Sequence, residues 1–250
     1  MIKLNICVDQ VAAIRNIADR GEPDPMAAII LAQIGGATAI TISWASDAPF
    51  YQPQEYALIR QLIHTHMNVI IPPADDVLQS ILTIRPDMIT LVPDGYGHTG
   101  LENEWLNTDW PEKDASGRSL DQTIRALQQQ NILVNVLIRP SAADVRVCAQ
   151  LKTDYVHIDA SVYTTAGDSD QERQTLNDLA STAKVAARMN LGVSMGRGID
   201  YQTAPDITGI WEVEEMVVGS AVTAKAMAIG YEQAVRDLVD VIRHAPKGYE

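Results

Sequence analysis

Cysteine is scarce in this chain, with Cys7 and Cys148 the only two in 250 residues. Each falls in an apolar-patterned segment, which excludes a disulfide-dense scaffold and points to reduced thiols in a cytoplasmic protein. Basic residues are also few: 19 Lys and Arg stand against 32 Asp and Glu, for a net charge of −13. Duplex binding needs a basic footprint, so nucleic acid is excluded as a partner. No run reaches the roughly 18 uninterrupted apolar residues of a membrane span, so no membrane association is expected. The opening MIKLNICVDQ has no basic head, long apolar core and small-residue cleavage site, so no secretory signal is read there. Linkers, low-complexity tracts and short-period repeats are likewise missing.

What the chain has is a regular alternation. Short β-rich runs occur at 2–9, 37–45, 68–73, 88–93, 132–140, 155–161, 191–196 and 214–219. Between them lie stretches with apolar spacing of three and four, among them PMAAIILAQIGG, DDVLQSILTIRP, ERQTLNDLASTAKVAARMN and the long SAVTAKAMAIGYEQAVRDLVDVIRH. Eight strand candidates, most followed by a helix, match the size and rhythm of a (β/α)8 TIM barrel, expected as one domain over residues 1–250. An open doubly wound sheet would want a G-x-G-x-x-G turn after the first strand, and CVDQVAAI has none. The longest irregular stretch, 94–117, follows the fourth strand, and a loop of that length in a compact domain suggests a lid.

Side chains of a barrel strand alternate between the interior and the helix layer. Val156 and Ile158 suit the helix layer, which turns His157 and Asp159 inward. The same parity turns Asn5, Cys7 and Asp9 inward from the first strand, Thr41 and Ser43 from the second, and Asn68 and Ile70 from the third. Asn135, Leu137 and Arg139 follow on the fifth, and Ser194 and Gly196 on the seventh, with Arg197 just past its end. Polar inward residues thus collect at C-terminal strand ends, where this fold places active sites. His157, Asp159 and Asp9 are the catalytic candidates, and Ser43, Arg139 and Arg15 the substrate-binding ones. The site is expected to work without a metal or organic cofactor, although the H-x-D spacing beside Asp9 also permits a divalent ion.

In such barrels the turns after strands seven and eight commonly form a phosphate site from backbone N–H groups. Here they are Gly196-Arg197-Gly198 and Gly219-Ser220, with Ser220 read as an N-cap that could equally bond a phosphate oxygen. An arginine between glycines supplies a bidentate donor, so the expected ligand is a small phosphorylated or acidic metabolite.

At this point the chain resembles the pyridoxine 5′-phosphate synthase family over nearly its whole length. The resemblance is carried by Asp9 followed by Val11-Ala12-Ala13-Ile14-Arg15-Asn16, Pro23-Asp24-Pro25 and Ala39-Ile40-Thr41-Ile42. Met67-Asn68, Leu91-Val92-Pro93, Tyr163 and the turns at 196–198 and 219 continue it. It implies a (β/α)8 enzyme that condenses 1-deoxy-D-xylulose 5-phosphate with 3-amino-1-hydroxyacetone 1-phosphate. It also implies a homo-oligomer in which an arginine, Arg20 here, reaches a neighbouring subunit's phosphate. The family's chemistry is replaced at many positions. Its Asn-x-Asp-His is Cys7-Val8-Asp9-Gln10, and its strand-two histidine and following arginine are Ser43 and Ala45. A second histidine of that loop falls opposite Phe50, and the strand-three glutamate base aligns with Ile70. The strand-six glutamate and histidine become His157 and Asp159, and the turn histidines become Arg197 and Ser220. Isoleucine cannot abstract a proton, whereas the inward His157, Asp159 and Arg197 remain polar. The resemblance with these exchanges implies a diverged enzyme on a small phosphorylated metabolite; a rewired genuine synthase and a non-catalytic binding paralogue are the alternatives.

Overall fold

The structure is a computed structural model, and it describes residues 2–18, 21–44, 50–72, 81–93 and 119–246. Arg20 and the 94–117 segment lie outside the described residues. The strands are β1 (Lys3–Cys7), β2 (Ala39–Ser43), β3 (His66–Ile71) and β4 (Met88–Leu91), then β5 (Leu133–Ile138), β6 (Tyr155–Asp159), β7 (Gly192–Gly196) and β8 (Glu215–Val218). All eight are parallel and close in sequence order, β1 against β8, as a (β/α)8 barrel. Seven of the eight β-rich runs in the sequence contain one of them whole, and β3 begins at His66, two residues ahead of its run at 68–73.

Helices α1 (Asp9–Ala18), α2 (Pro25–Gly35), α3 (Pro53–Leu62), α4 (Leu120–Gln128) and α5 (Ala142–Leu151) are followed by the short α6 (Ser161–Thr164). Then come α7 (Ser169–Arg188), the short α8 (Ala204–Thr208), α9 (Ser220–Ile229) and α10 (Tyr231–His244). Local chemistry sets their ends. Asp24 caps α2 by accepting from the Met26 N–H, with Pro25 at the first helical position, where its fixed φ suits the turn. Ser141 caps α5 in the same way. The long pattern over 220–244 is two helices and not one. Gly230 sits at φ +85° between α9 and α10, a conformation that breaks the helix and that L side chains rarely adopt.

The outward face of the barrel strands is the core. Ile6, Ile40, Val69, Ile89, Val134, Val156, Val193 and Met216 are each at most 1% exposed against the helix layer. Apolar side chains take this layer because removing them from water is the main favourable term, about 25 cal/mol per Å² of apolar surface. The inward face carries one connected polar layer. Asn135 Nδ2 donates to Thr90 Oγ1 (3.3 Å), and Thr90 Oγ1 to Asn68 Oδ1 (2.9 Å). Asn68 Nδ2 donates to Thr41 Oγ1 (3.1 Å), Thr41 Oγ1 to Asn5 Oδ1 (2.8 Å), and Asn5 Nδ2 to Glu215 Oε1 (3.1 Å). Ser194 Oγ joins from the other side at 3.5 Å to the same Glu215 oxygen, and His157 Nδ1 lies 2.8 Å from Ser194 Oγ. Each strand contributes one member to this ladder. Buried polar atoms must find partners, and here they find them in one another, except Asn135 Oδ1, which has none among the described residues.

Candidate active site

The ladder ends at the C-terminal mouth, on His157. The ring is 7% exposed, and burial pushes it down to a pKa of about 4; the Asp159 carboxylate pulls upward and the Arg197 guanidinium downward. His157 is therefore neutral at pH 7. Its Nδ1 is bonded to Ser194, and its Nε2 edge faces Gly196: a Cβ built there would lie 2.7 Å from both Cε1 and Nε2. Only glycine at 196 leaves that edge its present place.

Asp159 is held by two partners other than His157. Its Oδ1 accepts from the Ser161 N–H (2.8 Å) at the start of α6, and its Oδ2 binds Arg197 Nη1 (3.0 Å). The imidazole is oriented by Ser194 instead, because Ser194 is the direct register partner of His157 on β7. Arg197 stands at φ +73° with its side chain 19% exposed, while Asp159 is 1% exposed. The adjoining Gly198, at φ +76°, packs so closely on α6 that a Cβ would fall 2.2 Å from Thr164 Oγ1. The 196–198 turn is thus clamped between His157, Asp159 and α6.

On the opposite side of the mouth Asp9 forms a second buried centre. The sequence pattern ran the first strand up to Asp9, but β1 ends at Cys7 and Asp9 opens α1. Its carboxylate is 5% exposed and accepts from Ser43 Oγ (2.6 Å), the Ser43 N–H (3.0 Å), Tyr51 Oη (3.1 Å) and Cys7 Sγ (3.3 Å). All of these donors are neutral. Burial raises the Asp9 pKa, and its hydrogen bonds from Ser43, Cys7 and Tyr51 only partly offset this. Tyr51 is fully buried and went unread in the sequence, since it lies in the β2–α3 connection, where no periodicity marks it. Burial and the Asp9 charge push both its phenol and the Cys7 thiol well up. Tyr56 Oη donates to the Ser43 carbonyl (3.0 Å) and its ring stacks on Trp44 with centroids 4.2 Å apart, fixing the end of β2.

The remaining candidates separate. Arg139 does not continue the inward face of β5: past the strand end it forks onto Asp144 in the first turn of α5, at 2.9 and 3.0 Å. A guanidinium on a long stem follows the nearest carboxylate, whatever the parity of its Cα. Arg15 on α1 binds Glu55 bidentately and the Phe50 carbonyl (2.9 Å), tying α3 to α1. Ser220 is not the N-cap of α9. That position is Gly219, with no side-chain cap bond, and Ser220 is the exposed first helical residue. A Cβ on Gly219 would meet Gln10 Oε1 at 2.5 Å and Cys7 Cβ at 3.1 Å, so the turn packs directly on the end of β1. Gln10 Oε1 is buried there without a hydrogen-bond partner among the described residues. Ile70, at the family's base position, is half-buried on the inward face of β3. Among the described residues no group of three His, Cys, Asp or Glu side chains is arranged to hold a metal, so the His157, Asp159 and Asp9 trio does not converge on one ion.

Glu215 is the buried member of the ladder that sequence reading missed. It is 4% exposed, its pKa is raised by burial against the lowering by Asn5, and it receives the ladder from both sides. Inward parity on EEMVVG, with Met216 and Val218 facing the helices, carries the signal for it.

Comparison with known proteins agrees with this architecture. Residues 4–244 match the family model described as pyridoxal phosphate biosynthesis protein PdxJ. Among curated relatives, the pyridoxine 5′-phosphate synthase of Geotalea uraniireducens is 28% identical over 246 residues, covering 98% of this chain and 100% of that protein. The one from Geobacter metallireducens is 29% identical with the same coverage. Among solved structures, KGPDC from Streptococcus mutans superposes with a TM-score of 0.63 at 12% identity, covering 98% and 99% of the two chains. Phosphoribosylanthranilate isomerase from Thermotoga maritima gives 0.61 at 11% identity, covering 97% and 99%; at such identities these likenesses speak for the fold alone. By the match along nearly its full length, the chain belongs to the PdxJ family.

Proposed function

We propose that this PdxJ-family protein is a diverged enzyme that acts on a small phosphorylated metabolite at the C-terminal mouth, with His157 as its proton-handling group. The observation that carries this reading is the state of His157: buried, neutral, held on Nδ1 and directed with Nε2 along Gly196. A neutral imidazole so placed accepts a hydrogen bond or a proton at Nε2. A phosphorylated ligand bound beside it favours the protonated ring, as Asp159 already does, and brings its pKa toward the working range. The anion is taken by the first N–H groups of α9, which no side chain caps, by the backbone of Gly196, Arg197 and Gly198, and by the positive field of Arg197. Asp159 positions Arg197, and Asp9, with Ser43, Tyr51 and Cys7, shapes the opposite wall.

The family's own condensation requires several proton transfers, and this chain has Ile70, Ser43 and Arg197 where the resemblance places a glutamate and two histidines. That supports divergence over the genuine synthase reaction. The test is formation of pyridoxine 5′-phosphate from the two family substrates, together with rescue of a vitamin B6 auxotroph. We expect neither, and product at a sustained turnover would replace this reading by the rewired synthase. Thermal stabilisation by phosphorylated metabolites with no turnover of any of them would favour a binding protein instead.

A further inference from the structure

We infer that Ser194 and Glu215 are positioning residues that hold His157 as its Nδ1–H tautomer, so that Nε2 is the nitrogen presented to a ligand at the 196–198 turn. The inference deepens the proposed function, on which its catalytic consequence rests, but the geometry behind it stands separately.

Ser194 is fully buried and its hydroxyl carries one proton, with two acceptors in reach: Glu215 Oε1 at 3.5 Å and His157 Nδ1 at 2.8 Å. If the hydroxyl donates to His157, Nδ1 must be bare and the ring proton moves to Nε2. If it donates to Glu215, Nδ1 must carry the proton and donate to Ser194 Oγ. Glu215 Oε1 is the claimant: it already accepts from Asn5 Nδ2, so it meets the Ser194 hydroxyl as an acceptor whether Glu215 is ionised or carries its proton on Oε2. The rest of the ladder is polarised toward the same point. From Asn135 through Thr90, Asn68, Thr41 and Asn5, each group donates onward, and the last donor reaches Glu215 Oε1. A carboxylate that collects donors from one side is completed by Ser194 from the other. The imidazole then stands with Nδ1–H inward and the Nε2 lone pair outward, beside Gly196.

The experiment is 15N NMR of the protein labelled at histidine, at pH 7.5, with the His157 signals identified by their loss in His157→Asn. In the wild type the pyridine-type resonance is expected on Nε2. In Ser194→Ala and in Glu215→Met it is expected to move to Nδ1, because the first removes the acceptor of Nδ1–H and the second frees the serine proton for Nδ1. Glu215→Gln keeps a carbonyl oxygen that accepts from both Asn5 and Ser194, so it should retain the wild-type pattern, which a merely structural role for Glu215 does not require. Should Glu215→Met fail to fold, Ser194→Ala, which deletes a single oxygen, decides the matter. A pyridine-type Nδ1 in the wild type, or an unchanged tautomer in both disrupting variants, would overturn the inference. The expected tautomers together with undiminished turnover in His157→Asn would uphold it and remove the proposed function instead.

Discussion

Acidification should weaken this protein through His157 in a way one substitution isolates. The ring is buried and its folded pKa is about 4, whereas an unfolded histidine titrates near 6.5. Between those values the unfolded chain holds the extra proton, so stability falls as pH falls. The contribution is complete above about pH 6.5 and withdrawn progressively toward pH 4. At about 1.4 kcal/mol per pH unit the whole effect is about 3 kcal/mol, and by pH 5 about 2 kcal/mol of it has gone. Two other buried groups run the opposite way: Asp9 and Glu215 have raised folded values, so each favours the folded state at low pH and withdraws that support as pH rises through its folded value. The net profile therefore mixes signs, and only a difference is diagnostic. His157→Asn does not titrate and keeps a donor toward Ser194. Urea unfolding of both proteins from pH 7.5 to 5.0 should show the wild type losing about 2 kcal/mol more than the variant, equivalent to roughly 4–8 °C in Tm for a chain of this size. Parallel profiles would mean that His157 is not held neutral by burial, and the reasoning about the site would fail with it.

Other predictions follow from single contacts. Gly196→Ala places a Cβ 2.7 Å from the His157 ring and should cost about 1–3 kcal/mol of stability as the ring is forced aside, read by urea unfolding, with loss of ligand-induced stabilisation in a thermal-shift assay. Arg197→Ala strands the Asp159 carboxylate, which is 1% exposed, and should cost about 3–5 kcal/mol; adding Asp159→Asn should recover part of it, and a fully additive double mutant would show that the pair is not coupled. Cys7 and Cys148 are both buried, with burial raising the first well up and the second to about 12, so neither should react with iodoacetamide in the native protein and both should in urea. Labelling of the folded form would place one of them at the surface.

The barrel was legible because its two faces obey one rule. Alternation along IKLNICVD, ATAITISWA and YVHIDAS places Ile6, Ile40 and Val156 under the helices and Asn5, Thr41 and His157 inside, and the hydrogen bonds join those inward residues. Backbone period determines where Cβ points, so short inward side chains end where parity puts them. Longer ones do not. Arg139 and Arg15 reach past their own strand or helix to Asp144 and Glu55, partners that spacing alone does not announce. The same limit applies to Asp159, whose carboxylate is claimed by an arginine on the neighbouring turn and by the α6 backbone, leaving His157 to Ser194. Tyr51 entered the Asp9 centre from a connection with no periodic signal. Gly230 broke what reads as one amphipathic helix, because apolar spacing continues across it while the backbone does not.

His157 is proposed to move protons on a phosphorylated substrate. The most direct test is to incubate purified wild-type protein and His157→Asn with a defined panel of small sugar and amino-sugar phosphates and follow each compound by mass spectrometry. The wild type should consume at least one of them, and His157→Asn, folded and still stabilised by the same compound, should not. Consumption at equal rates by both proteins, or by neither, would contradict that role.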